Sequence, residues 1–121
     1  MQLSAYLKEA LCTQLLIDSP AFLALYTSDP TENNTGIEVS GGSYERQEVT
    51  FDPPVDGLCV NSVQVNFPIC TFSWGTITHA ALFDAVSNGN MLFFGQLGAP
   101  KTINASDQLL FSAGNISVGF I

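Results

Sequence analysis

Positive charge is scarce in this chain: three basic residues, Lys8, Arg46 and Lys101, stand against eleven acidic ones, for a formal charge of -8. Nucleic-acid backbones are gripped by Lys and Arg that displace counterions, so direct DNA or RNA binding is not expected, and the same charge disfavours anionic membrane surfaces. Histidine is nearly missing too. His79 is alone, which removes multi-histidine metal centres and any histidine-activated nucleophile pair. Three cysteines, Cys12, Cys59 and Cys70, are odd in number and lack Cys-x-x-Cys spacing, so buried free thiols are expected. No run approaches the roughly 20 apolar residues of a membrane span, and the start, Met1 to Lys8, lacks a basic leader followed by an apolar core. Synthesis in the cytosol without a cleaved signal is the expectation. With no repeat, low-complexity tract or linker, residues 1–121 are expected to form one domain.

What is abundant is apolar. Hydrophobic residues make up 46% of the chain and charged ones only 12%, against about a quarter charged in ordinary soluble domains, which fits either surface covered by a partner or a well-packed monomer rich in Ser, Thr and Asn. One helical pattern exists, at 4–17: Leu3, Leu7, Ala10, Leu11 and Leu15 recur at spacings of three and four. Ser4 is placed to cap it, and Asp18-Ser19-Pro20 stops it. After Pro20 the period becomes two. Phe22–Thr27 reads as a strand closed by Ser28-Asp29-Pro30-Thr31; Ile37 and Val39 as an edge segment; Tyr44–Phe51 as a strand with Gln47, Val49 and Phe51 on one face and Arg46, Glu48 and Thr50 on the other. Leu58–Phe67 changes apolar phase, which predicts a bulge or bend near Asn61-Ser62. Short strands follow around Ile103, around Leu109 and Phe111, and at Ile116, Val118 and Phe120. About eight strands with one leading helix predict a mainly β chain, an antiparallel β-sandwich of jelly-roll or Greek-key type.

The stretch from Trp74 to Leu97 organises the rest. Two apolar runs flank Ser87-Asn88-Gly89-Asn90, and Asn-Gly between such runs marks a hairpin through a type I′ turn, which needs positive φ at both central residues. On the first arm Ile77, His79, Ala81 and Phe83 share one face, with Thr76, Thr78, Ala80, Leu82 and Asp84 on the other. Neither face is convincingly polar, so both are expected to be covered. Trp74, Phe83, Met91, Phe93 and Phe94 are the expected interface residues.

The search for chemistry returns nothing strong. Glu45, Glu48, Asp52 and Asp56 form the densest carboxylate group, but alternation splits Glu45 from Glu48 and Arg46 sits among them, so a solvated face is expected rather than an acid/base pair. Asp52 and Asp56 match no calcium-loop signature. Trp74 with nearby Asn and Asp would suit a sugar-stacking platform, although a Trp opening a strand reads first as a packing residue. No catalytic residue, cofactor or metal is expected, and the chain is read as a non-enzyme.

Several motifs then combine. Leu23-Ala24-Leu25-Tyr26-Thr27-Ser28-Asp29-Pro30-Thr31, Glu38-Val39-Ser40-Gly41-Gly42-Ser43-Tyr44-Glu45-Arg46-Gln47, Trp74-Gly75-Thr76-Ile77-Thr78-His79-Ala80-Ala81-Leu82-Phe83-Asp84-Ala85 and Pro100-Lys101-Thr102-Ile103-Asn104-Ala105 resemble, in that order, a family of small virion-associated, tail fibre-like proteins of tailed bacteriophages. The resemblance implies a particle component present in many copies and brings no catalytic residues with it. It places the chain in the virion after synthesis in the host cytoplasm. The leading expectation is a capsid decoration (cement) protein outside the head, bound to the major capsid protein or other virion proteins, and homo-oligomeric with a trimer favoured. A tail fibre, baseplate or neck component is the alternative, and a carbohydrate-binding host-recognition module using Trp74 the second.

Overall fold

A computed structural model describes residues 1–119. Ser4 opens the helix α1 (Ala5–Cys12) as expected, its Oγ accepting the Leu7 N–H at 3.1 Å. The helix runs on into a π-helical turn, Thr13–Ile17, and ends before Pro20. The buried face differs from the expected one: Leu3, Leu7 and Ala10 are exposed, and the residues driven into the core are Cys12 and Leu16. Cys12 and Leu16 stand four apart, so the buried face lies one residue beyond the expected Leu11 and Leu15, with Leu15 packed at its border.

Eight strands follow among the described residues: β1 (Ala21–Tyr26), β2 (Gln47–Val49), β3 (Leu58–Val60), β4 (Val65–Asn66), β5 (Gly75–Phe83), β6 (Met91–Ile103), β7 (Leu110–Phe111) and β8 (Ser117–Gly119). The chain is mainly β with antiparallel sheets and one amino-terminal helix. The principal sheet has the order β2-β1-β5-β6, while β3 pairs with β8 and β4 with β7 as separate two-stranded ribbons. The expected long strand over 58–67 is thus two short ones, broken at the residues where the phase slips. Asn61, 1% exposed, holds the break: its Nδ2 donates to the carbonyls of Val63 and Ser112 at 2.8 and 3.0 Å, and its Oδ1 accepts the Ile116 N–H at 2.8 Å. Phe120, expected to continue the last alternation, lies outside the described residues.

The main core lies between the sheet and the ribbons. Leu23, Leu25, Val49, Ile77 and Leu82 from the sheet meet Cys59, Val65, Phe67, Leu109 and Val118 from the other side, with Cys12 and Leu16 beneath. All three cysteines are buried free thiols. Burial pushes the Cys59 thiol up to about 12, helped by the adjacent Cys12. A second cluster, Ala24, Tyr26, Ala81 and Phe83 with Met91 against it, occupies the opposite face of β1 and β5. The central strands therefore carry apolar packing on both faces, but within the chain itself. Ile77 joins the main core rather than Ala81 and Phe83, because the ladder slips between Ile77 and His79 and reverses the facing.

Candidate interaction surface

The hairpin is longer-looped than expected. Its last ladder pair is Phe83 with Met91, and a further closure joins Asp84 to Asn90: the Asp84 N–H donates to the Asn90 carbonyl at 3.1 Å, while the Asp84 carboxylate accepts the Asn90 backbone N–H at 2.7 Å and its Nδ2–H at 3.0 Å. Those hydrogen bonds from Asn90, backbone first, hold the Asp84 carboxyl below the usual range. At the tip Asn88 and Gly89 both adopt positive φ, 55° and 73°, as the Asn-Gly signal requires. A Cβ on Gly89 would lie 2.5 Å from Asp84 Oδ1, so glycine is needed for space as well as for φ.

Behind this loop sits a polar clamp that the sequence reading missed. Arg46, expected on a solvated face, is only 8% exposed. Its guanidinium meets Glu38 side-on, Nε to Oε2 and Nη2 to Oε1 at 2.9 Å each, and Nη1 donates to the carbonyls of Ala85 and Asn88 at 3.0 and 2.8 Å. The same group lies 3.7 Å from the centroid of the Phe83 ring. Tyr44 donates to Glu38 Oε2 at 2.6 Å and accepts the Leu25 N–H at 3.0 Å. Burial alone would lower the Arg46 pKa, but the hydrogen bonds and charge of Glu38 turn the net shift upward. The signal was present in composition: the one Arg of a chain with three cations and eleven carboxylates is a candidate for internal pairing.

The five expected interface residues separate. Trp74 is 5% exposed, with Tyr44 edge-on at 5.5 Å, Phe67 at 6.3 Å and its Nε1 donating to the Gly42 carbonyl at 3.0 Å. It offers no free face to a sugar or to a neighbouring subunit, which removes the residue the carbohydrate-binding alternative relied on. Phe83, 1% exposed, is spent in the second cluster, on the face of the sheet opposite the main core, under the Arg46 guanidinium. Both are large aromatics that the fold had room to bury. Met91 and Phe93 are half-buried, and Phe94 stands out at 45% exposed. These three lie at the start of β6, which forms one edge of the principal sheet.

His79 is half-buried, its Nδ1 2.8 Å from Thr78 Oγ1. Glu45, Glu48, Asp52 and Asp56 are all exposed. Among the described residues no three His, Cys, Asp or Glu side chains gather as a metal site would need, and no helix is long and apolar enough to cross a membrane.

No curated protein matches this sequence. A family match covers nearly its whole length: residues 2–119 fit the Gp80 family, described as podophage GP4 fiber I protein gp80. The two-faced hairpin, its clamped turn and the leading helix are thus elements of a phage fibre protein, and the chain belongs to the Gp80 family.

Proposed function

We propose that this chain is a non-enzymatic structural subunit of a podophage fibre, built into the virion by packing against copies of itself and neighbouring virion proteins. The observation that carries this reading is the family match over residues 2–119, whose description names a fibre. The polar groups support it. The Arg46, Glu38 and Tyr44 side chains are engaged with each other and with the hairpin turn, which makes them structural. The acidic exterior favours protein partners over nucleic acid or an anionic membrane surface. Decoration of the head, favoured from sequence alone, ranks below the fibre because the family description points to the latter.

Cryo-electron microscopy of intact particles tests the assignment, together with quantitative mass spectrometry against the major capsid protein. Density of this fold in a tail-associated fibre, at a copy number far below that of the capsid protein, is expected. Density on the outer face of the head, at a copy number comparable to the capsid protein, would replace the fibre reading with the decoration one.

A further inference from the structure

Two of the three buried thiols lie together where the helix crosses onto a ribbon. α1 rests against β3 and β8, and its last turn is seated on the segment that leads into β3. The Cys12 thiol donates to the Gly57 carbonyl at 3.6 Å, and one turn earlier Lys8 packs so closely over Gly57 that a Cβ there would lie 3.1 Å from Lys8 Cβ. A bare backbone at the point of contact lets the helix approach the strand. Cys59 is the middle residue of β3, just beyond that contact, and both it and Cys12 are fully buried in the main core. Two cysteines can be bridged only when their backbones come within about 7 Å, and the Gly57 contact is what brings these two segments together. Cys70 stands apart. Its thiol donates to the Phe72 carbonyl, its backbone bonds Ser106 and Asp107, and among the described residues the three cysteines do not gather into one group.

We propose that Cys12 and Cys59 are a redox-sensitive pair, reduced in the cytosol and closed to a disulfide by a small-molecule disulfide once the particle leaves the cell, which staples α1 to β3. The oxidant is of the class of oxidised glutathione, and the step is thiol–disulfide exchange. One protein thiolate attacks the small disulfide, expels one glutathione thiolate and leaves a mixed disulfide. The second protein thiolate attacks the protein sulfur of that mixed disulfide and expels the other glutathione. Two electrons pass to the oxidant, and the two protons lost by the protein thiols end on two reduced glutathiones. The odd cysteine count is thereby resolved into one pair and one free thiol.

The fold also supplies a gate. Burial keeps the Cys59 thiol protonated while the helix is seated, so exchange waits for the helix to lift. Lifting is local: within α1 only Cys12 is buried, while Leu3, Tyr6, Leu7 and Ala10 are exposed on its outer side. A helix held by so few buried side chains opens well below the cost of global unfolding. Once closed, the link ties residue 12 to residue 59 and constrains a long loop of the unfolded chain. This inference goes beyond the fibre reading and rests on it only for the passage out of the cell: a purified chain that does not oxidise overturns the pair alone, whereas a chain located on the head overturns the fibre alone.

The test uses the full native chain, incubated with excess oxidised glutathione, then unfolded in acid and titrated for free thiols. The count should fall from three to one, the mass should drop by two hydrogens, and peptide mapping should join Cys12 to Cys59 with Cys70 free. The oxidised chain should melt about 5 to 10 °C higher, and dithiothreitol should reverse the gain. Cys70→Ala should still form the link and finish with no titratable thiol, whereas Cys59→Ala should keep both of its thiols and gain no melting temperature. Three thiols surviving in the wild-type chain, glutathione adducts without an internal link, a link that includes Cys70, or a linked chain that melts no higher would each overturn the staple.

Discussion

Arg46 is one of three cations in a chain with eleven carboxylates, and the fold puts this one under cover. Its contacts tie the 38–46 segment to the hairpin turn, so truncation leaves Glu38, the Ala85 and Asn88 carbonyls and the Phe83 ring without their partner. Breaking a buried pair from one side costs about 3 to 5 kcal/mol in general, and Glu38 retains a quarter of its side-chain exposure. Arg46→Ala should therefore destabilise by about 3 kcal/mol, read as a drop in melting temperature of about 10 °C. Arg46→Lys should recover less than half of this, because an ammonium supplies neither the planar fork to Glu38 nor the stack on Phe83. Beside it, the Tyr44 phenol is raised by burial first and by its hydrogen bond to Glu38 second, and Tyr26 is raised by burial and then by the Glu38 charge. In the unfolded chain both phenols ionise near about pH 10. Above that value the unfolded state gives up protons that the folded state keeps, so stability falls as pH climbs. Urea midpoints should decline from about pH 9.5 upward, and phenolate absorbance from these two tyrosines should rise with unfolding rather than before it. Tyr44→Phe should flatten that decline while lowering the midpoint at neutral pH.

The elements divide by what their signals encode. Asn88-Gly89 was legible because a positive φ at both residues is a local requirement, and it holds in the structure. The phase slip after Val60 was legible as a break for the same reason, since alternation is a property of neighbours. The pairing on either side of the break was not: β3 joins β8 and β4 joins β7, and nothing in residues 58–67 says which distant strand each half will meet. Arg46 failed for the opposite reason. Alternation placed it on the outer face correctly, but the 84–90 loop and Glu38 fold over that face from remote positions. Trp74, taken as an interface residue, found its cover in Tyr44 and Phe67, also from other segments. Asn61 is where local and remote meet, and it carries an element-scale prediction. Asn61→Ala would leave two carbonyls and the Ile116 N–H without their partner in the core, for a loss of about 3 kcal/mol. Asn61→Asp should be at least as harmful, because its second oxygen would face the carbonyls of Val63 and Ser112 where an NH₂ now donates. Chemical denaturation of both variants decides it; an Asp variant as stable as wild type would mean that the amide does not bridge the ribbons.

At the scale of the molecule, the net charge of -8 sets how copies can come together. Two such chains repel at long range, and the repulsion is felt through about 10 Å of solvent at 0.1 M salt but only about 3 Å at 1 M. With 46% of the chain apolar and only 12% charged, a contact between copies is expected to hold few charges, so salt has little to weaken within it and mainly the surrounding repulsion to screen. Self-association should therefore tighten as salt rises, by several-fold between about 0.05 M and 0.5 M sodium chloride. Apolar and backbone contacts keep their strength over that range, which separates this behaviour from an interface held by ion pairs. Sedimentation equilibrium across the salt series reads the effect directly. A dimer that loosens with salt would mean that opposite charges hold the copies together, at a surface that includes Lys8 or Lys101, the two cations not enclosed by the fold.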